Sequence, residues 1–385
     1  PAFEVKLAAA CDRYVASVPD VKGDEKLTEE LVVVKFKAGY TYQSYYHFDE
    51  AAKRFGELID RWASSKYARL GAELILDSYD AREDWIALER WSRDFAKKQD
   101  LMNDKPFAAN VAKFMEGASF KSIALANDQA SSLEKKGKTE ESQKAYADAA
   151  SRFAAFVGEF PESQFAPTAL YNATVIYGNA KQLDLAIDAA THLLDKYSKD
   201  IGNGDNLTNK LEEQTLLKLA NYYQSVADYS NAAQTFLAFV KGYPKHDEAP
   251  NALYNAAIYN FGLGDVDKAS ELFSRYIKEY KQQKDRPEVQ LRRAAIAEEA
   301  GDWKQAEDLY TEFETVFGKV AEDGQVAAAD FHPGSVGGDQ GQADAQIFFL
   351  AQQVVRVVGL EGQAQQGRHR PEGDVALFPV QAQAE

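Results

Sequence analysis

Apolar positions recur along this chain with a fixed long period. Six times an Ala is followed four residues later by an apolar residue and eleven residues later by an aromatic. The sets are Ala51/Phe55/Trp62, Ala149/Phe153/Phe160, Ala186/Ala190/Tyr197, Ala232/Phe236/Tyr243, Ala269/Phe273/Tyr280 and Ala306/Tyr310/Phe317. Steps of 37 residues connect Phe160 to Tyr197, Tyr243 to Tyr280 and Tyr280 to Phe317. A period of this size predicts a stack of supersecondary units in place of one globular core. Such a stack supplies a surface and carries no chemistry of its own.

Each unit reads as two antiparallel helices. In the sixth, Ala249-Pro250-Asn251-Ala252-Leu253-Tyr254-Asn255-Ala256 opens the first helix, with Pro250 in the first turn, where a missing N–H does no harm. Gly262 and Gly264 end it. Asp265 then caps a second helix whose Ala269, Phe273 and Ile277 share one face. The small Ala lets the first helix approach, and the aromatic fills the space between units. The fourth unit repeats the opening as Ala166-Pro167-Thr168-Ala169-Leu170-Tyr171-Asn172-Ala173.

The predicted limits of the seven units are 27–63, 66–99, 106–162, 165–200, 207–245, 248–283 and 286–318. The second is degenerate: Ala87 and Trp91 keep the Ala-plus-four pair, while Lys98 stands where an aromatic is expected. In the third, the first helix runs past Ser119 towards Leu133. Asp200–Asn206 is an inserted polar loop, accounting for the step of 46 between Tyr197 and Tyr243. Val18-Pro19 matches Phe160-Pro161 and Tyr243-Pro244, so residues 1–18 read as the second helix of an incomplete earlier unit, and the chain as a fragment. Residues 320–385 contain no Lys, Tyr, Asn or Thr and are rich in Gln and Gly. The stretch 319–385 is expected to be a low-complexity, largely irregular and disordered tail, with one weak helix near 343–358. Its abrupt change of character raises the alternative of an out-of-frame translation.

Composition narrows the picture. The chain has 385 residues, is 45% hydrophobic and 12% aromatic, and carries a formal charge of −16. Disorder throughout is excluded. The acidity argues against nucleic acid or an anionic membrane surface as the main partner, since both need clustered Lys and Arg. The single Cys11 excludes an internal disulfide or a cysteine metal cage, and reads as a small buried helix residue. Leu7-Ala-Ala-Ala-Cys11 has the look of a lipoprotein cleavage box, but what precedes it is too short and too charged. No run of 18 apolar residues occurs, so no membrane span is expected.

The Ala-x3-Phe pair with a closing aromatic or Pro resembles the tetratricopeptide repeat. The junctions Phe156-Val-Gly-Glu-Phe160-Pro161-Glu-Ser163 and Tyr243-Pro244-Lys-His-Asp-Glu-Ala249 are similar to those of bacterial cell-envelope members, namely the outer-membrane assembly lipoprotein and the Tol-Pal coordinator. The resemblance covers about residues 1–318, although the usual Trp and Gly of the first helix are mostly replaced. It implies a right-handed, all-α solenoid of about seven helix pairs plus a partial one. It also implies a non-enzymatic adaptor at the periplasm or outer-membrane periphery, binding a protein or peptide on its concave face. A cytoplasmic adaptor is the alternative, and a repeat arm of a larger enzyme is a third.

Chemistry-bearing patterns are few. The five histidines (His47, His192, His246, His332 and His369) form no zinc-binding pair, and no nucleophile elbow, phosphate loop or calcium loop is present. No cofactor, metal or catalytic residue is expected. One register remains: fourteen residues before the landmark Ala of the regular units stand Lys37, Asn172, Lys218, Asn255 and Arg292. The resemblance implies that they line the concave groove, where Asn and Lys hold a peptide backbone or carboxylate. Solvation or service to neighbouring helix ends is the plainer alternative.

Overall fold

The computed structural model describes residues 2–18, 24–198 and 206–322. Among them every regular element is helical. The chain divides into two compact units, Pro1–Ala166 and Pro167–Glu385.

The first unit opens with α1 (Ala2–Ser17). Three hairpins follow: α2 (Glu25–Ser44) with α3 (Phe48–Trp62), α4 (Lys66–Ala81) with α5 (Trp85–Ala96), and, after the short α6 (Gln99–Met102), α7 (Lys105–Lys135) with α8 (Thr139–Glu159). The second contains four: α9 (Ala166–Asn179) with α10 (Leu183–Tyr197), α11 (Asn206–Ser225) with α12 (Tyr229–Gly242), α13 (Ala249–Gly262) with α14 (Val266–Glu279), and α15 (Arg286–Glu299) with α16 (Trp303–Glu322). The described residues thus hold seven helix pairs, with α1 before them. The expected tail falls, from residue 323 onward, outside the described residues, as does the segment 199–205.

One turn design closes every hairpin. The residue two before each second helix takes a left-handed conformation: Tyr46, Glu83, Gly137, Lys181, Ala227, Gly264 and Gly301, with φ between 54° and 85°. The next residue's N–H then donates to a carbonyl five positions back, as from Asp265 to Asn260 (2.9 Å) and Asp228 to Tyr223 (2.8 Å). This is the Schellman arrangement, which satisfies carbonyls orphaned at the first helix's end. In four hairpins that same next residue is an Asp that caps the second helix: Asp84, Asp228, Asp265 and Asp302 each accept a backbone N–H at about 3.0–3.1 Å.

The landmark residues form the core. Ala51, Phe55, Ala149, Phe153, Ala232, Phe236, Ala269, Phe273 and Ala306 are all buried, and Tyr310 is half-buried against the last cluster. Each Phe meets an aromatic ring of an adjoining first helix: Phe55 with Phe36 (5.4 Å), Phe153 with Phe120 (5.7 Å), Phe236 with Tyr259 (6.2 Å) and Phe273 with Tyr254 (5.5 Å). Phe55 is clamped on both sides. A Cβ on Gly39 of α2 would stand 2.6 Å from its ring, and one on Gly71 of α4 would stand 3.1 Å away.

Three expectations need correction. In α5 the buried positions are Leu88, Ser92 and Phe95, one residue on from the expected Ala87/Trp91 pair, which is half-buried. A rotation of one residue, about 100°, puts the larger apolar groups Leu88 and Phe95 inside. Trp91 instead lies over Gly56 of α3. Second, the length added before the fifth unit includes helix, while residues 200–205 of the expected loop lie outside the described residues. Helix α11 has 20 residues where α13 and α15 have 14, so six of the extra residues lengthen the helix. Third, Cys11 is half-buried, because Ala8 and Val15 occupy the inward positions of α1.

Candidate binding face

The five register residues stand at equivalent places on first helices and occupy unequal surroundings. Lys37 on α2 is exposed. The other four belong to the second unit, on α9, α11, α13 and α15. Asn172 is 1% exposed, and neither its Oδ1 nor its Nδ2 has a hydrogen-bond partner. Lys218 is half-buried, and burial pushes its ammonium pKa below the ordinary lysine value. Asn255 and Arg292 are half-buried. The Arg292 charge reaches two neighbours: it partly offsets the upward push of burial on the Tyr254 hydroxyl, and likewise on the Glu299 carboxyl.

The five residues thus differ in their polar demand. A buried amide with no partner is uncommon, because desolvation costs it about 1–3 kcal/mol. The α9–α11 contact beside it is close. Tyr222 of α11 donates to the Thr174 carbonyl (3.4 Å), and its hydroxyl occupies the space that a side chain on Gly178 would need. Burial, then proximity to Tyr171, raises the Tyr222 pKa to about 12.

Two polar clusters of the first unit escaped the sequence reading. Glu89 of α5 accepts from Ser122 (2.5 Å), Ser119 (3.1 Å) and Arg93 Nε (3.0 Å), and Arg93 continues to Glu159 (2.6 Å). Burial pushes the Glu89 carboxyl up, but these hydrogen bonds together outweigh it and hold the pKa below the ordinary glutamate value. The second cluster centres on Lys35, which is buried. A signal for it exists in the sequence. Lys35 lies sixteen residues before Ala51, and Leu170, Leu216, Leu253 and Gln290 hold that register elsewhere, all of them buried.

Among the described residues no group of three or more His, Cys, Asp or Glu is placed to hold a metal, and no helix is long and apolar enough to cross a membrane. His47 is exposed and His246 pairs with Glu213 (3.0 Å). His332 and His369 lie outside the described residues.

The hairpin stack with its Ala and aromatic landmarks defines the class: an all-α solenoid of tetratricopeptide-like helical hairpins. The tetratricopeptide repeat family model matches residues 217–284 and, overlapping them, 254–316. No curated protein sequence matches the chain. Among solved structures, the apo form of RapI is 12% identical, covering 88% of this chain and 89% of its own, with a TM-score of 0.38. MamA from Desulfovibrio magneticus RS-1 is 12% identical, over 52% of this chain and 97% of its own, at 0.32. PilF of Pseudomonas aeruginosa is 15% identical, over 65% and 98%, at 0.29. These are likenesses of fold alone. Proteins built from tetratricopeptide repeats bind protein partners, and the fold is generally a non-enzymatic scaffold.

Proposed function

We propose that this chain is a non-enzymatic scaffold that holds an extended peptide or protein segment on the first-helix face of α9, α11, α13 and α15. The observation that carries the reading is Asn172, whose amide is buried with both polar atoms unpaired. An extended peptide carries alternating N–H and C=O groups, the complement that such an amide lacks, and would reach it by displacing a neighbouring side chain, since both atoms are inaccessible in the free chain. Lys218, half-buried on α11, adds an attraction for a carboxylate or carbonyl on that segment. The chain's overall negative charge works against nucleic acid as the partner. The cellular setting belongs to the same proposal: a bacterial cell envelope, at the periplasm or outer-membrane periphery. It is supported by the resemblance of the Phe160-Pro161 and Tyr243-Pro244 junctions to envelope members.

The test is selection of peptides from a displayed library on the full chain, followed by affinity measurement on Asn172→Ala, Lys218→Ala and Asn255→Ala. Loss of the charge-assisted bond from Lys218 should weaken a selected peptide about tenfold. Asn172→Ala should weaken it while leaving the free protein as stable or slightly more so, since an unsatisfied polar group is removed. Unchanged affinity in all three variants would remove the proposal. Fractionation of cells expressing the complete gene tests the setting, and recovery in the cytoplasm would favour the cytoplasmic adaptor instead.

A further inference from the structure

A different site stands at the other end of the chain, in the first unit. Helices α1 and α3 both lean on α2, and between them lies a cavity of about 390 Å³. Its polar lining includes Lys35, Lys53, Arg54 and Arg61 together with Asp12 and Glu57. The apolar part comes from Val15, Ala16 and Trp62.

The hydrogen-bond account of Lys35, Arg54 and Lys53 leaves donors over. Lys35 Nζ donates to Asp12 (3.1 Å) and to Glu57, which occupies two of its three N–H groups. Arg54 donates through Nε to Asp12 (3.0 Å) and through Nη1 to the Glu50 carboxylate (2.7 Å) and carbonyl (3.0 Å). Its Nη2 has no partner, and the guanidinium is held in place against the Tyr42 ring at 4.1 Å. Lys53 is exposed and makes no hydrogen bond or ion pair. Asp12, Glu50 and Glu57 thus fix Lys35 and Arg54 in position without using all their donors. A purely structural pair at the Lys35 position would be costlier than the Leu that stands there as Leu170, Leu216 and Leu253, and would not need Lys53 or Arg54 beside it.

We infer that this cavity binds a small phosphorylated organic molecule. The phosphate would be held by Lys53, Arg54 Nη2 and the third Lys35 N–H, with the organic body against Trp62 and Val15. Donors from three side chains suit the three free oxygens of a phosphate monoester better than the two of a carboxylate. The volume lies at the lower end of the range for small-ligand sites. The site is separate from the first-helix face of the second unit, and neither proposal depends on the other.

Calorimetric titration of the full chain with phenyl phosphate tests it, with inorganic phosphate, phenol and benzoate run alongside. One saturable site for phenyl phosphate is expected, weakened about tenfold by Lys53→Ala and largely recovered by Lys53→Arg. Lys53 is exposed and unpartnered, so circular dichroism of both variants should match the parent, and Lys138→Ala, away from the cavity, should bind normally. Inorganic phosphate binding as tightly as phenyl phosphate would overturn the organic part of the inference and leave a site for the bare oxyanion. No saturable heat with either phosphate, benzoate or phenol binding as well as phenyl phosphate, or equal affinity in Lys53→Ala, would overturn the inference.

Discussion

The seven hairpin turns make a natural experiment in backbone strain. Each places one residue in the left-handed region, yet only Gly137, Gly264 and Gly301 are glycines. Ala227 (φ 60°) and Gly264 (φ 85°) occupy equivalent places on consecutive hairpins of the second unit. Both are exposed, and a Cβ on Gly264 would meet nothing within 4 Å, so packing drops out of the comparison. An L-residue pays roughly 1–2 kcal/mol to stand in this conformation. Glycine loses more freedom on folding, which offsets about 0.4–1 kcal/mol of that advantage. The net is about 0.5–1 kcal/mol in favour of glycine. Gly264→Ala should therefore destabilise by that amount and Ala227→Gly should stabilise by a similar amount. Urea unfolding reports both as opposite shifts in midpoint at unchanged m. Shifts of the same sign, or a Gly264→Ala as stable as the parent, would refute the turn geometry or the reasoning from it.

Three further outcomes are expected. Phe273→Ala, which empties a fully buried ring site beside Tyr254, should cost about 3–5 kcal/mol, read from the same urea curves. Asp265→Ala removes the acceptor for the Lys268 N–H and should cost about 1 kcal/mol, with little change when Asp267 is substituted instead. For Glu89 the folded pKa lies below its unfolded value. Its stabilising contribution is therefore present above about pH 4.3, the unfolded glutamate pKa, and is lost as pH falls through the folded value. The midpoint gap between the parent and Glu89→Gln should be widest near neutrality and close on acidification, and a gap independent of pH would contradict the network.

How much of this was legible beforehand depends on the physics at each place. The hairpins were, since an Ala notch and an aromatic plug repeated at a fixed interval leave few alternatives for burying them. The bounds of α13 and α14 follow from Pro250, Gly264 and Asp265, each of which acts on its own backbone neighbours. The α5 register was not: Ala87/Trp91 and Leu88/Phe95 are both acceptable helical faces, and only competition for space around Gly56 and Phe107 selects the second. The longer α11 was hidden because the polar residues at its start fit a helix end as well as a loop.

The candidate sites divide in the same way. Position on the first-helix face is a matter of period, so Lys37, Asn172, Lys218, Asn255 and Arg292 could be picked from spacing. Their unequal burial could not be, because it depends on what the next hairpin brings alongside, as Tyr222 is brought to α9. Lys35 occupies a register that Leu holds in three other units, a signal the sequence carries, but its meaning needed Asp12 and Glu57, 23 and 22 residues away in opposite directions. Local periodicity fixes which elements form and which way they face. Only the packing of one hairpin on another determines which polar groups are desolvated, which are paired, and which keep donors in reserve, because those energies depend on distances between residues that the chain itself does not place together.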